Sequence, residues 1–246
     1  MLSCPRMSGK AAFNPTRWSL IAALRGGEAG CVRAAMETLC GAYWYPLYAY
    51  ARRSGQSPED AADLTQSFFA FLLEKEVFAQ ADPERGKLRT FLLTAMQRFM
   101  CDEWRKRQRL KRGGGQLPLS IDEPLAEELY ARELIDDVTP ETLYHRRWAL
   151  TLLERTLRAL ETSYAEQGKA ALFAALQPTL TEDPDATSAV EIGARLAMEP
   201  GTVRVAISRL RRRYRERLLA EVAASLDAQS EVEVDEEIDA LFRVLG

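Results

Sequence analysis

An all-α protein built from two helical domains is the fold class this sequence predicts, and three observations predict it. Apolar residues recur at steps of three and four along most of the 246 residues, the period of an amphipathic helix. No stretch keeps the apolar–polar alternation of a half-buried strand. Serine or threonine stands directly before proline at Ser57-Pro58 and Thr139-Pro140, an order that caps a helix and wastes no N–H at its first residue.

Taken in order, residues 1–14 read as a loose tail, and a first helix is expected over about Arg17–Leu24, ended by Gly26-Gly27. A second begins near Glu28, with Val32, Met36, Leu39, Tyr43 and Leu47 on one face and a kink or restart expected at Pro46. The aromatics around it (Trp44, Tyr45, Tyr48, Tyr50) read as core. The third, PEDAADLTQSFFAFLLEK, turns Ala61, Leu64, Phe68, Phe71 and Leu72 inward and Asp60, Asp63 and Ser67 outward. After a loop at Gln80–Lys87 comes a fourth helix, LRTFLLTAMQRFMCDEWRKRQRLKR. Its first half is apolar all round, and its second half is cationic around Trp104. Gly113-Gly114-Gly115 should stop it.

Residues 113–138 then read as a linker carrying one short helix near Ala126–Glu133. Two helices follow, about Glu141–Tyr164 and Lys169–Ala175. Next comes TSAVEIGARLAMEPGTVRVAISRLRRRYRERL, with the outline of a helix-turn-helix: a short helix started by the Ser188/Glu191 capping box, a turn at Ala197-Met198, and a long basic helix from Pro200. In the long helix Val203, Ile207, Leu210, Tyr214 and Leu218 form a core row, and arginines fill the other positions. An acidic segment and an amphipathic helix, DEEIDALFRVL, presenting Ile238, Leu241, Phe242 and Leu245, come last. That helix would either cover a DNA-binding face or complete a core.

Composition narrows the function. At 47% hydrophobic, 28% charged and net charge −3, the chain is not basic as a whole. A nucleic-acid reading therefore rests on where the charge sits, at Arg98–Arg112 and Arg204–Arg217. The four cysteines form no CxxC pair and there is one histidine, so neither a zinc site nor a disulfide framework is expected, and the thiols should be reduced. No apolar run reaches the ~20 residues that span a bilayer, and no signal-peptide core stands at the start. A cytoplasmic protein without membrane contact is expected. With His145 on a polar helix and no phosphate loop, no enzyme and no cofactor are expected.

Basic side chains interleaved with aromatics suit unpaired DNA, where stacking contributes ~1–3 kcal/mol per base, although a solvated basic helix end has the same composition. In the helix-turn-helix, residues early in the second helix should meet base edges. Later arginines, Arg212 and Arg213, should meet phosphates.

The order DAADLTQSFFAFLLEK, LRTFLLTAMQRFMCDEWRKRQR, linker, SAVEIGARLAMEPGTVRVAISRLRRRYRE resembles the extracytoplasmic-function (ECF) group of bacterial RNA polymerase sigma factors, over about Arg17–Leu219. The resemblance implies sigma domain two over 15–112, a linker over 113–138, sigma domain four over 139–226 and an acidic extension over 227–246. It implies docking on bacterial core RNA polymerase through Asp60, Asp63 and Gln66. It implies capture of a flipped base of the minus-ten promoter element by Arg85, Lys87, Arg89, Phe91, Phe99, Trp104, Arg105 and Arg109, at a cost of a few kcal/mol for extruding the base. The helix from Pro200 would read the minus-thirty-five element, with Thr202, Arg204, Ser208 and Arg209 as the expected base contacts and Val205 or Ala206 against thymine methyls. Promoter DNA is thus the second partner, and the family admits an anti-sigma factor as a third. Departures are Ala197 where the family has glycine, Glu199 where it has a serine cap, and Val205 and Ala206 where polar base contacts are usual. The alternative is a stand-alone helix-turn-helix regulator that binds duplex DNA without polymerase.

Overall fold

The structure, a computed structural model, describes residues 17–26, 28–74, 77–80, 87–109, 123–131, 138–181, 186–226 and 231–245. Among them there are ten α-helices and no strand, so the protein is all-α. The helices are α1 Arg17–Gly26, α2 Ala29–Arg53, α3 Pro58–Glu74, α4 Leu88–Arg109, α5 Glu123–Ala131, α6 Pro140–Glu166, α7 Ala170–Leu176, α8 Ala186–Leu196, α9 Pro200–Leu226 and α10 Glu231–Leu245. Short 3-10 turns lie at Val77–Gln80 and Gln177–Leu180. None of the described helices is long and apolar enough to cross a membrane.

Two compact units divide the chain: Met1–Thr151 with Val222–Gly246, and Leu152–Glu221. This division departs from the expected boundaries. Pro140–Thr151 of α6 and the residues after Glu221 belong to the first unit, so α10 is part of it.

In the first unit α2 is the central element and packs against α1, α3, α4 and α5. Of the kink or restart expected at Pro46 there is no restart, since α2 runs unbroken through it. Proline removes one backbone donor there, but Tyr43, Leu47, Tyr48 and Ala51 are fully buried around it, and packing on this scale outweighs one missing bond. Trp44 and Tyr48 stack at 5.3 Å. Helix α3 starts as its sequence dictates: the Ser57 hydroxyl accepts from the Asp60 backbone N–H at 3.1 Å and donates to the Asp60 carboxylate at 2.9 Å. Thr139 caps α6 in the same way, accepting from the Thr142 N–H. The expected glycine stop of α4 lies outside the described residues.

Helix α5, expected inside a linker, is docked on α2. Arg52 grips the Glu127 carboxylate with two bonds of 2.7 and 2.8 Å, and the Tyr48 hydroxyl donates to the same carboxylate at 2.7 Å. The Arg52 hydrogen bonds hold Glu127 below the usual carboxylate range, and burial pushes the Tyr48 phenol up. Among the thiols, Cys40 and Cys101 are free, and burial raises Cys40 to about 11. Cys31 is disulfide-bonded, contrary to the expectation of reduced thiols throughout.

The second unit closes around Leu160, Tyr164, Phe173, Leu176, Ile192, Val203, Ile207 and Leu210. These come from the end of α6, from α7, from α8 and from the inner row of α9. Helix α8 begins at Ala186, two residues before the start expected at Ser188. Helix α9 begins at Pro200 as expected, with the Glu199 carbonyl accepting from Thr202 and Val203. Ala197, in the turn, has φ +53°.

Candidate polymerase and nucleic-acid surfaces

Helix α3 presents the first group of expected residues. Its inner row (Ala61, Leu64, Thr65, Phe68, Phe69, Leu72) is buried, which leaves Asp63 exposed on the opposite face. Gln66 is half-buried one turn further along. Asp60, also half-buried, is engaged by the Ser57 hydroxyl, so part of its role is to start the helix.

Helix α4 divides the second group in two. Phe99 was expected to stack on a base, but it is 7% exposed and packs against Phe68 at 5.7 Å and Phe71 at 5.1 Å. Its ring belongs to the core, and the stacking role leaves it. The signal was present in the sequence: Phe99 continues the row Leu88, Leu92, Met96, whereas Trp104 is out of that register. Trp104 is 63% exposed, beside exposed Arg105 and Lys106. Those two cations make surface pairs with Asp102 at 3.3 Å and Glu103 at 2.6 Å, a type that contributes little in water. Phe91 is half-buried, and Arg85 and the Arg109 side chain lie outside the described residues.

At the start of α4, Arg89 is largely covered rather than displayed to solvent, and Lys87 is half-buried. Both pair with Glu237 of α10, whose side chain is 0% exposed. The Arg89 guanidinium also lies over the Trp148 ring at 4.5 Å, and the Tyr144 hydroxyl donates to the Arg89 carbonyl at 2.9 Å. Burial lowers the pKa of both cations, and the neighbouring Arg89 lowers that of Lys87 further. His145, half-buried beside them, is held below its ordinary value by burial first and then by Arg89 and Lys87. Nothing in the sequence marks Glu237, because a carboxylate in a row of carboxylates reads as solvated.

The second unit carries the third group. Thr202, Arg204, Val205, Ser208, Arg209, Arg212 and Arg213 are all exposed along α9. Arg213 also lies over the Tyr164 ring at 5.6 Å, and Arg212 makes a loose surface pair with Glu216 at 3.6 Å. Arg211, by contrast, turns inward and donates twice to the Thr179 carbonyl, at 3.0 and 2.8 Å. Sequence reading passed over Gly193, which the turn requires. A Cβ there would stand 2.6 Å from the Met198 carbonyl oxygen, and the Met198 N–H donates back to the Gly193 carbonyl at 2.9 Å.

The second unit carries the helix-turn-helix, and the first exposes a tryptophan among cations. Residues 42–110, from the middle of α2 to the end of α4, match the family of Sigma-70 region 2. The match supports a sigma-70 family factor acting in transcription initiation, with core RNA polymerase and promoter DNA as the implied partners. No curated protein and no solved structure matches the chain.

Proposed function

We propose that the protein is a sigma factor of the ECF type that directs core polymerase to a set of promoters and melts them by binding energy alone, in the cytoplasm and without a catalytic group. The observation that carries this reading is the coincidence of the region-two match with α3 and α4, in a chain whose other unit is a helix-turn-helix. In this reading 15–112 act as domain two, and the helix-turn-helix unit, Leu152–Glu221, acts as domain four. Asp63 and Gln66 on α3, with Asp60 beside them, dock on polymerase. Trp104 is the exposed ring available to a displaced base, Phe91, Arg105 and Arg109 act on the same melted strand, and Arg85, Lys87 and Arg89 serve the strand backbone. Thr202, Arg204, Val205, Ser208 and Arg209 face the upstream element, and Arg212 and Arg213 its phosphates.

The test is reconstitution. The purified chain mixed with bacterial core polymerase should co-purify as one complex and start transcription at a defined site on genomic DNA. Absence of a complex would sink the reading. It would favour a stand-alone regulator if the chain then bound a duplex site tightly by itself.

A further inference from the structure

Helix α10 buries only part of the face its sequence advertises. Phe242 is 58% exposed, and the row that turns inward is Val234, Glu237 and Leu241. A carboxylate thus occupies the middle of the buried row. A helix serving only to complete a core would be at least as stable with an apolar residue there, because a buried ion pair seldom recovers its desolvation cost. The outward positions Glu233, Asp235, Glu236 and Asp239 are exposed.

The partners of Glu237 give this placement its meaning. Lys87 and Arg89 stand at the start of α4, where Arg89 is largely covered and Lys87 is half-buried, its side chain 43% exposed. A carboxylate held by a lysine and an arginine uses the same donors that would hold a phosphate oxygen. The two anions compete for one place, and the outer carboxylates of α10 would repel a nucleic-acid backbone brought near it. Trp148 holds the Arg89 guanidinium from α6, a contact that does not depend on α10.

We infer that α10 is an autoinhibitory element in which Glu237 stands in for a DNA phosphate, so that α10 must leave before Lys87 and Arg89 can grip the melted strand. The inference rests on the reading of α4 as part of a minus-ten surface. Fifteen residues make a helix that is marginal once detached, so release is a local event rather than an unfolding of the unit.

The test uses the full chain and a fluorescein-labelled single-stranded DNA of mixed sequence, with binding followed by anisotropy at several salt concentrations. Glu237→Gln should tighten binding about tenfold. Two cations returned to phosphates should also steepen the salt dependence by a log–log slope of about 1.4. The gain should vanish when Lys87→Ala and Arg89→Ala are added to Glu237→Gln. Equal affinity and slope for Glu237→Gln and the unaltered chain would overturn the inference. Should Glu237→Gln fold poorly, the unaltered chain still decides: saturating it with the same DNA should speed hydrogen exchange across Glu231–Leu245. Unchanged protection of α10 with DNA bound would overturn the inference. A chain that binds core polymerase but shows no release of α10 sinks this inference alone. Failure to bind polymerase sinks the sigma reading and leaves the DNA measurements to be judged separately.

Discussion

Gly193 and Ala197 hold the two backbone positions on which the helix-turn-helix depends, and they are filled unequally. At Gly193 a side chain has nowhere to go, since the Met198 carbonyl that a Cβ would strike is fixed backbone. Gly193→Ala should therefore cost ~1–3 kcal/mol, as overpacking does, and lower the melting temperature. Ala197 shows the opposite mismatch: its φ of +53° lies in the left-handed region, where an L-residue other than glycine costs ~1–2 kcal/mol. Ala197→Gly should relieve most of that, less the extra freedom glycine brings to the unfolded chain, for a net gain of about 1 kcal/mol. Denaturant titration of both variants checks the pair. A stabilised Gly193→Ala or a destabilised Ala197→Gly would mean that the turn has another geometry. Ala197 was visible in the sequence as a departure from the glycine common at such turns. Gly193 was not, because its constraint comes from a carbonyl five residues later.

At the scale of elements, what the sequence showed was local chemistry. Ser57-Pro58, Thr139-Pro140 and Pro200 mark helix starts because capping and proline's missing donor act within one turn, and α3, α6 and α9 begin there. Pairing between distant elements was not legible. Helix α5 sat inside a stretch read as linker, yet it is fastened to α2 by Glu127, 75 residues from Arg52. That junction makes a pH prediction. Glu127 has a folded pKa below its unfolded one, held there first by Arg52. Its contribution is therefore fully present above the unfolded carboxylate value of about 4.3 and is lost as pH falls through the lower folded value. Glu127→Ala should destabilise the chain by about 2 kcal/mol at neutral pH, the scale of a charge-assisted hydrogen-bond pair, and should flatten the loss of stability below pH ~4. Parallel denaturant titrations at pH 7 and pH 3.5 would show it. An equal deficit at both pH values would mean that Glu127 acts by packing rather than by charge.

For the whole molecule, the division of labour proposed above rests on two exposed helical faces in separately cored units: the Asp63 face of α3 and the Arg204 face of α9. Each core forms without the outer side chains, so each face can be altered without disturbing the fold that presents it. Asp63→Arg reverses a charge on the polar side of α3, while the buried row from Ala61 to Leu72 is untouched. It should abolish the complex with core polymerase and leave the circular dichroism and melting temperature unchanged. Arg204→Ala should do the reverse, preserving the polymerase complex while weakening discrimination of the upstream promoter element by ~1–3 kcal/mol, the scale of one bidentate base contact. The pair is informative because a stand-alone regulator would respond to Arg204→Ala alone. Unfolding of Asp63→Arg would mean that Asp63 supports α3 itself. Loss of affinity in Arg204→Ala that is uniform across DNA sequences, with a shallower salt dependence, would move Arg204 from base edge to phosphate.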